Sequence, residues 1–188
     1  MNTYPNAFNE DIHLQETFKQ LVITHNPEIL IETGTFEGHT TEYLASFGLP
    51  VLSTEINQEY HDAAKIKLGK YLNLTLLCGD SENALSLNFN LIKDKKVLAF
   101  LDSHCRNDQV LERELVLLKN LPHPPILIIH DFRVPDRPFG YDMWDNHIYD
   151  YEFYKPYFDA LYQNKYTYRY NREAVGRCRG VIILEPTP

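Results

Sequence analysis

Ile29-Leu30-Ile31-Glu32-Thr33-Gly34-Thr35-Phe36-Glu37-Gly38-His39-Thr40-Thr41-Glu42-Tyr43-Leu44 changes its hydrophobic period partway along. The apolar run 29–31 suits a short strand buried on both faces, whereas Tyr43, Leu44 and Phe47 recur at helical spacing. Between them, Gly34 and Gly38 mark a tight loop, because glycine permits backbone conformations and close approaches that a side chain forbids. Gly48 and Pro50 end the helix: glycine accepts a left-handed cap and proline cannot continue the ladder.

The same cycle repeats along the chain. Val51 to Glu55 reads as a second strand, Asn57 as the N-cap of a helix, and Tyr60, Ala63, Ala64 and Leu68 as its buried stripe, closed by Gly69. Leu74 to Cys78 reads as a third strand, followed by Gly79, Asp80 and a short helix capped by Ser81. Val97 to Leu101 is the fourth strand, and Asp108 opens a helix with Leu111, Leu115 and Leu118 on one face. Ile126 to Ile129 is the fifth. Upstream of the first strand, Ile12, Leu14, Phe18, Leu21 and Val22 predict a helix that ends before Pro27. Strands alternating with helices imply a parallel sheet with helices on both faces, and right-handed crossovers make it doubly wound. Near the C-terminus, Tyr154, Tyr157, Phe158, Leu161 and Tyr162 predict a helix. Tyr166 to Tyr170 and Val181 to Leu184 predict an antiparallel hairpin that completes a mostly parallel, seven-stranded α/β sheet.

A length of 188 residues suits one domain, 1–188, and 44% hydrophobic with 23% charged residues is the balance of a globular protein. The net charge of −8 opposes a phosphate backbone, so no nucleic-acid partner is expected. No apolar run approaches membrane-spanning length and no targeting segment opens the sequence, so no membrane partner and a cytoplasmic location are expected. Cys78, Cys105 and Cys178 match no zinc or disulfide spacing and are expected as reduced thiols.

In an open α/β sheet, ligands bind beyond the carboxyl ends of the strands. The residues there are Glu32 with the Gly34 loop, Glu55, Asp80, Asp102 with His104, and His130 with Asp131. The loop lacks the middle glycine of the dinucleotide fingerprint, Phe36 standing near its place, which favours a nucleoside without pyrophosphate. Glu55 stands where an acidic residue can accept both ribose hydroxyls. Asp80 can either accept an adenine amine or cap the next helix.

Glu32 through Gly38, Glu55 and Asp80, in this order, resemble the nucleoside-binding elements of class I S-adenosylmethionine-dependent methyltransferases. The loop from Glu32 to Thr41 is similar to that of the metal-dependent O-methyltransferases. The resemblance implies that S-adenosylmethionine is the cofactor, with contacts from Glu32, Gly34, Thr35, Phe36, Gly38 and Asp102. It places Gly34 and Gly38 beside the methionine part, Glu55 at the ribose, and Asp80 with Ser81 near adenine. The implied reaction is O-methylation of a small molecule.

A second constellation joins Asp102-Ser103-His104, followed by Asp108, Glu112 and Glu114, to His130-Asp131. Two histidines and two carboxylates can gather one divalent ion, magnesium or a softer metal. Without a metal, His104 or His130 can act as general base. The set resembles the cephalosporin hydroxylase and macrolide sugar O-methyltransferase group, which implies Asp102 and Asp131 as metal ligands; His130, a further candidate ligand, stands where that group commonly has an acidic residue. The stretch 133–150, long and rich in Pro, Asp and aromatic residues, is expected to form a lid. Tyr141, Trp144, His147, Tyr149, Tyr151 and Tyr154 there suit a sugar or other ring-bearing acceptor, or equally a homodimer interface. Two rival readings use the same residues: a metal-dependent hydrolase, and a non-catalytic nucleoside-binding protein.

Overall fold

The computed structural model describes residues 4–103 and 109–187. Five strands lead: β1 (Ile29–Thr33), β2 (Val51–Glu55), β3 (Leu74–Cys78), β4 (Val97–Leu101) and β5 (Ile126–His130). A small ribbon follows, β6 (Met143–Trp144) with β7 (His147–Ile148), and then β8 (Tyr166–Tyr170) and β9 (Val181–Pro186). Seven of these form one sheet in the order β3-β2-β1-β4-β5-β9-β8. The first five run parallel, while β9 is antiparallel to β5 and β8 antiparallel to β9. Strand order reverses between β1 and β4, the position at which such sheets open a crevice at their carboxyl edge.

The helices are α1 (Ile12–His25), α2 (His39–Ala45), α3 (Gln58–Leu68), α4 (Ser81–Leu87), α5 (Val110–Leu118) and α6 (Tyr151–Tyr162). Each central strand feeds two cores, since successive side chains alternate between faces. Leu30, Leu98, Phe100, Ile128 and Ile183 pack with α1 and α2. Ile31, Ala99, Leu101, Ile129 and Ile182 pack with α4, α5 and α6. This is why these strands read as unbroken apolar runs; each fully buried aliphatic side chain contributes about 2 kcal/mol.

Three local features differ from the sequence expectation. The buried stripe of α3 is His61, Ala64 and Leu68, and Tyr60 instead turns outward to meet the Phe36 ring at 4.6 Å. The N-cap of α4 is Asp80, whose carboxylate accepts from the Asn83 amide, and Ser81 is the first helical residue. Ahead of α1, the polar lead folds into a tight turn, Ala7–Glu10, with Phe8, Asn9 and Glu10 all at positive φ. Phe8 anchors that turn by burying its ring 4.9 Å from Phe100 and 5.5 Å from Tyr43. Asp108 lies outside the described residues, and α5 starts at Val110. Cys78 and Cys178 are free thiols, and Cys105 lies outside the described residues.

Residues 133–150 pack along the end of β5. Phe132, Val134 and Tyr149 are buried, Arg133 N donates to Tyr149 O and Asp142 N to Asp131 O. Among the described residues, no helix is long and apolar enough to cross a membrane.

Candidate functional site

The pairing register brings the strand ends to one level. Thr33 stands opposite Thr54 on one side and Leu101 on the other, so Gly34, Glu55 and Asp102 emerge together. They border a cleft of about 580 Å³, lined also by Phe36, Gly79, Asp80, Ser81 and Ser103. That volume lies within the range of small-molecule sites. Asn9, from the N-terminal turn, and Arg177, from the β8–β9 connection, face it from opposite ends of the chain, joined where Arg177 N donates to Asn9 O.

Glu55 is buried at the end of β2. One carboxylate oxygen accepts from Phe36 N at 2.7 Å and the other from Asn57 N at 2.8 Å. A carboxylate has about four acceptor positions, so each oxygen keeps one for a further donor. The loop that supplies Phe36 depends on Gly34, which lies at φ +87° against the Asp102 carbonyl.

Glu32 points into the protein rather than into the cleft. Its carboxyl accepts from Thr41 and Ser53 hydroxyls, each at 2.5 Å, and Ser53 also meets Thr35, which bonds Thr54 O. Burial pushes its carboxyl up to about 8, against the lowering effect of the Ser53 and Thr41 hydroxyls, so it is protonated at neutral pH. Glu32 and Thr35 therefore brace the loop. Thr35 borders a smaller cleft beside the first, of about 160 Å³, together with Asn6, His39 and Arg177. Gly38 starts α2, and a β-carbon there would meet Leu68 at 2.9 Å, so it admits α3 to the loop.

At the other end of the cleft, Asp80 accepts from Asn83 N and Arg113. Ser81 and Ser103 both donate at 2.5 Å to the same oxygen of Glu114. Burial raises the Glu114 carboxyl to about 7, opposed by the Ser103 and Ser81 hydroxyls. Glu114 thus lies beneath the cleft wall and not among the strand-end acids.

The second constellation closes on itself. His130 is buried, with Nδ1 at 3.0 Å from Asp102 and 3.1 Å from Asp131. Burial pulls the imidazole down, but the two carboxylates outweigh it and push it up to about 10. The pair of carboxylates thus favours the protonated imidazole, and Nδ1 is engaged between the two aspartates. Asp131 also pairs with Nε of Arg179, whose Nη2 reaches Asp142 at 2.5 Å. Asp102, His130 and Asp131 offer ligand atoms within 4.8 Å of one another, but the arrangement fits a metal poorly, because Asp131 is already paired with the Arg179 guanidinium and both aspartates are engaged by His130 Nδ1. His104 lies outside the described residues. Residues 133–150 contribute none of the described residues that line the large cleft.

Arg177 and Arg179 were not singled out from sequence. Their signal was available: an antiparallel last strand starts where β5 ends, so basic residues just before Val181 meet the acidic strand end.

The sequence matches no protein-family model and no curated protein. Solved structures do match. The O-methyltransferase TomG of Streptomyces achromogenes, involved in tomaymycin synthesis and solved with SAM, is 14% identical with a TM-score of 0.66, over 94% of this chain and 80% of that one. An O-methyltransferase from Bacillus cereus, solved with SAH, is 14% identical with a TM-score of 0.64, over 94% and 81%. The N-terminal domain of EvdMO1, solved in the presence of SAH and D-fucose, is 16% identical with a TM-score of 0.56, over 94% and 82%. Sheet order, antiparallel closing hairpin and these likenesses agree: the chain has the class I S-adenosylmethionine-dependent methyltransferase fold.

Proposed function

We propose that this protein is a methyltransferase that uses S-adenosylmethionine to methylate a hydroxyl oxygen of a small molecule. The observation that carries this reading is the Glu55 carboxylate, which is buried at the cleft with one free acceptor position on each oxygen, as two vicinal ribose hydroxyls require. When bound, S-adenosylmethionine supplies a sulfonium methyl group for in-line transfer, a reaction that depends chiefly on alignment and exclusion of water. Glu55 would hold the ribose. Ser81 and Ser103, whose hydroxyl protons point to Glu114, present acceptor oxygens to the cleft and suit the amino group of adenine. Phe36, with Tyr60 against it, would cover the sugar face and shield it from water. Asp102 lines the cleft with its carboxylate held by His130 Nδ1, and would orient the acceptor hydroxyl and take its proton.

A sugar or other ring-bearing hydroxyl compound is our proposed acceptor, supported by the fucose present with the EvdMO1 domain. The hydrolase reading is disfavoured by the described Asp102-His130-Asp131 set, in which His130 engages both aspartates and Arg179 is already paired with Asp131.

Isothermal titration with S-adenosylmethionine and S-adenosylhomocysteine tests the proposal. The wild-type protein should bind both, and Glu55→Gln, with its fold checked by a melting curve, should bind about tenfold more weakly or worse. Absence of binding by folded wild-type protein would overturn the reading. Binding without formation of S-adenosylhomocysteine from any hydroxyl acceptor in a sugar and phenol panel would favour the non-catalytic alternative.

A further inference from the structure

Three carboxylates converge beyond β5: Asp102, Asp131 and Asp142. Two basic side chains already stand among them. His130 lies between Asp102 and Asp131, and the Arg179 guanidinium links Asp131 to Asp142. The guanidinium occupies a berth made by the backbone. A β-carbon on Gly140 would stand 2.6 Å from Arg179 Nη1, so only glycine leaves that space. The berth is pinned on both sides, by Gly140 N donating to Cys178 O at 2.9 Å and Gly180 N to Gly140 O at 2.8 Å. Asp142 is brought to the same place by its amide, which donates to Asp131 O at 2.8 Å.

A divalent ion at Asp102, His130 and Asp131 would have to break the contacts of His130 Nδ1 with both aspartates. It would also have to share Asp131 with a guanidinium in direct contact, and two like charges in one partly buried site repel.

We propose that Arg179 is the resident cation of this carboxylate cluster, filling with a side chain the charge position that a divalent metal would take, so that the described set Asp102, His130 and Asp131 binds no metal. Arg179 neutralises Asp131 and Asp142 and, through Asp131, keeps His130 aimed at Asp102. Any chemistry at this set then proceeds without a metal, and the aspartate that faces the cleft is oriented by protein groups alone. The inference stands independently of what the cleft binds.

The test is titration with Mn²⁺, followed by the loss of the free-ion paramagnetic resonance signal, on wild-type protein, Arg179→Ala and Arg179→Gln. The wild-type protein should take up no Mn²⁺ at millimolar ion. Arg179→Ala should gain one site per chain, with affinity about tenfold or more above wild type, and Asp131→Asn in the same chain should abolish it. Arg179→Gln removes the charge while keeping a polar side chain of similar reach, so it should gain the site even if the alanine variant fails to fold. Stoichiometric uptake by wild type that Asp131→Asn removes would overturn the proposal. So would a folded Arg179→Gln that takes up no Mn²⁺.

Discussion

A β-carbon on residue 34 would stand 2.5 Å from the Asp102 carbonyl oxygen, and the backbone there is at φ +87°. Either the loop or the end of β4 would have to move, so Gly34→Ala should destabilise the fold by about 2 kcal/mol or more, the left-handed penalty alone accounting for much of it. Its urea midpoint should fall accordingly, and any loss of ligand affinity should exceed that of Gly38→Ala, where the nearest neighbour is the Leu68 side chain and not backbone. At this scale the sequence was legible for identity more than for role. Gly34, Phe36, Glu55, Asp80, Ser81 and Asp102 all line the cleft. Glu32 and His130 do not, because a carboxyl or imidazole at a strand end can face inward as readily as outward, and only neighbours distant in sequence decide which. Ser53 and Thr41 turn Glu32 inward; Asp102 and Asp131 hold His130.

Among the elements, the strands were readable because helices cover both faces of the central ones, which forces apolar residues at every position. The helices were less so. In α3 the expected stripe was one residue out of phase at Tyr60, since an amphipathic pattern with few large apolar residues fixes its phase poorly, and His61 fills the buried place. The caps separate two energetic cases. Asn57 accepts from the Glu59 and Tyr60 amides and has no ion pair, so Asn57→Ala should cost about 1 kcal/mol. Asp80 caps α4 and also holds Arg113 at 2.8 Å, so Asp80→Ala should cost more, and the difference should shrink in high salt. Chemical denaturation of both variants with and without salt measures this. The turn Ala7–Glu10 was not legible, because three consecutive positive φ angles in Phe-Asn-Glu follow from the burial of Phe8 and not from local preference.

For the whole molecule, three buried groups have folded pKa values above their ordinary ones: Glu32 at about 8, Glu114 at about 7 and His130 at about 10. Each holds its proton more tightly folded than unfolded, so its contribution is complete below the unfolded value and is lost as pH rises towards the folded one. Glu114 and Glu32 lose theirs from the ordinary carboxyl range up to about 7 and 8, and His130 from the ordinary imidazole range up to about 10. The melting temperature should therefore fall between pH 6 and pH 9, and Glu32→Gln should flatten the fall below pH 8. A melting temperature that rises over that interval would contradict the buried protonation states. The doubly wound topology itself was readable from the alternation of periods, but the cover of the cleft was not, for it is made by contacts between residues far apart in the chain. Asn9 and Arg177 meet across the same opening. During synthesis Asn9 leaves the ribosome well before β1 and Arg177 only after β8, so a nascent chain carries an unroofed cleft until β8 has emerged. Ribosome-bound chains arrested between β5 and β9 should accordingly bind S-adenosylhomocysteine more weakly than chains in which Arg177 has emerged, which makes binding of the proposed ligand a readout of the docking of the β8–β9 connection.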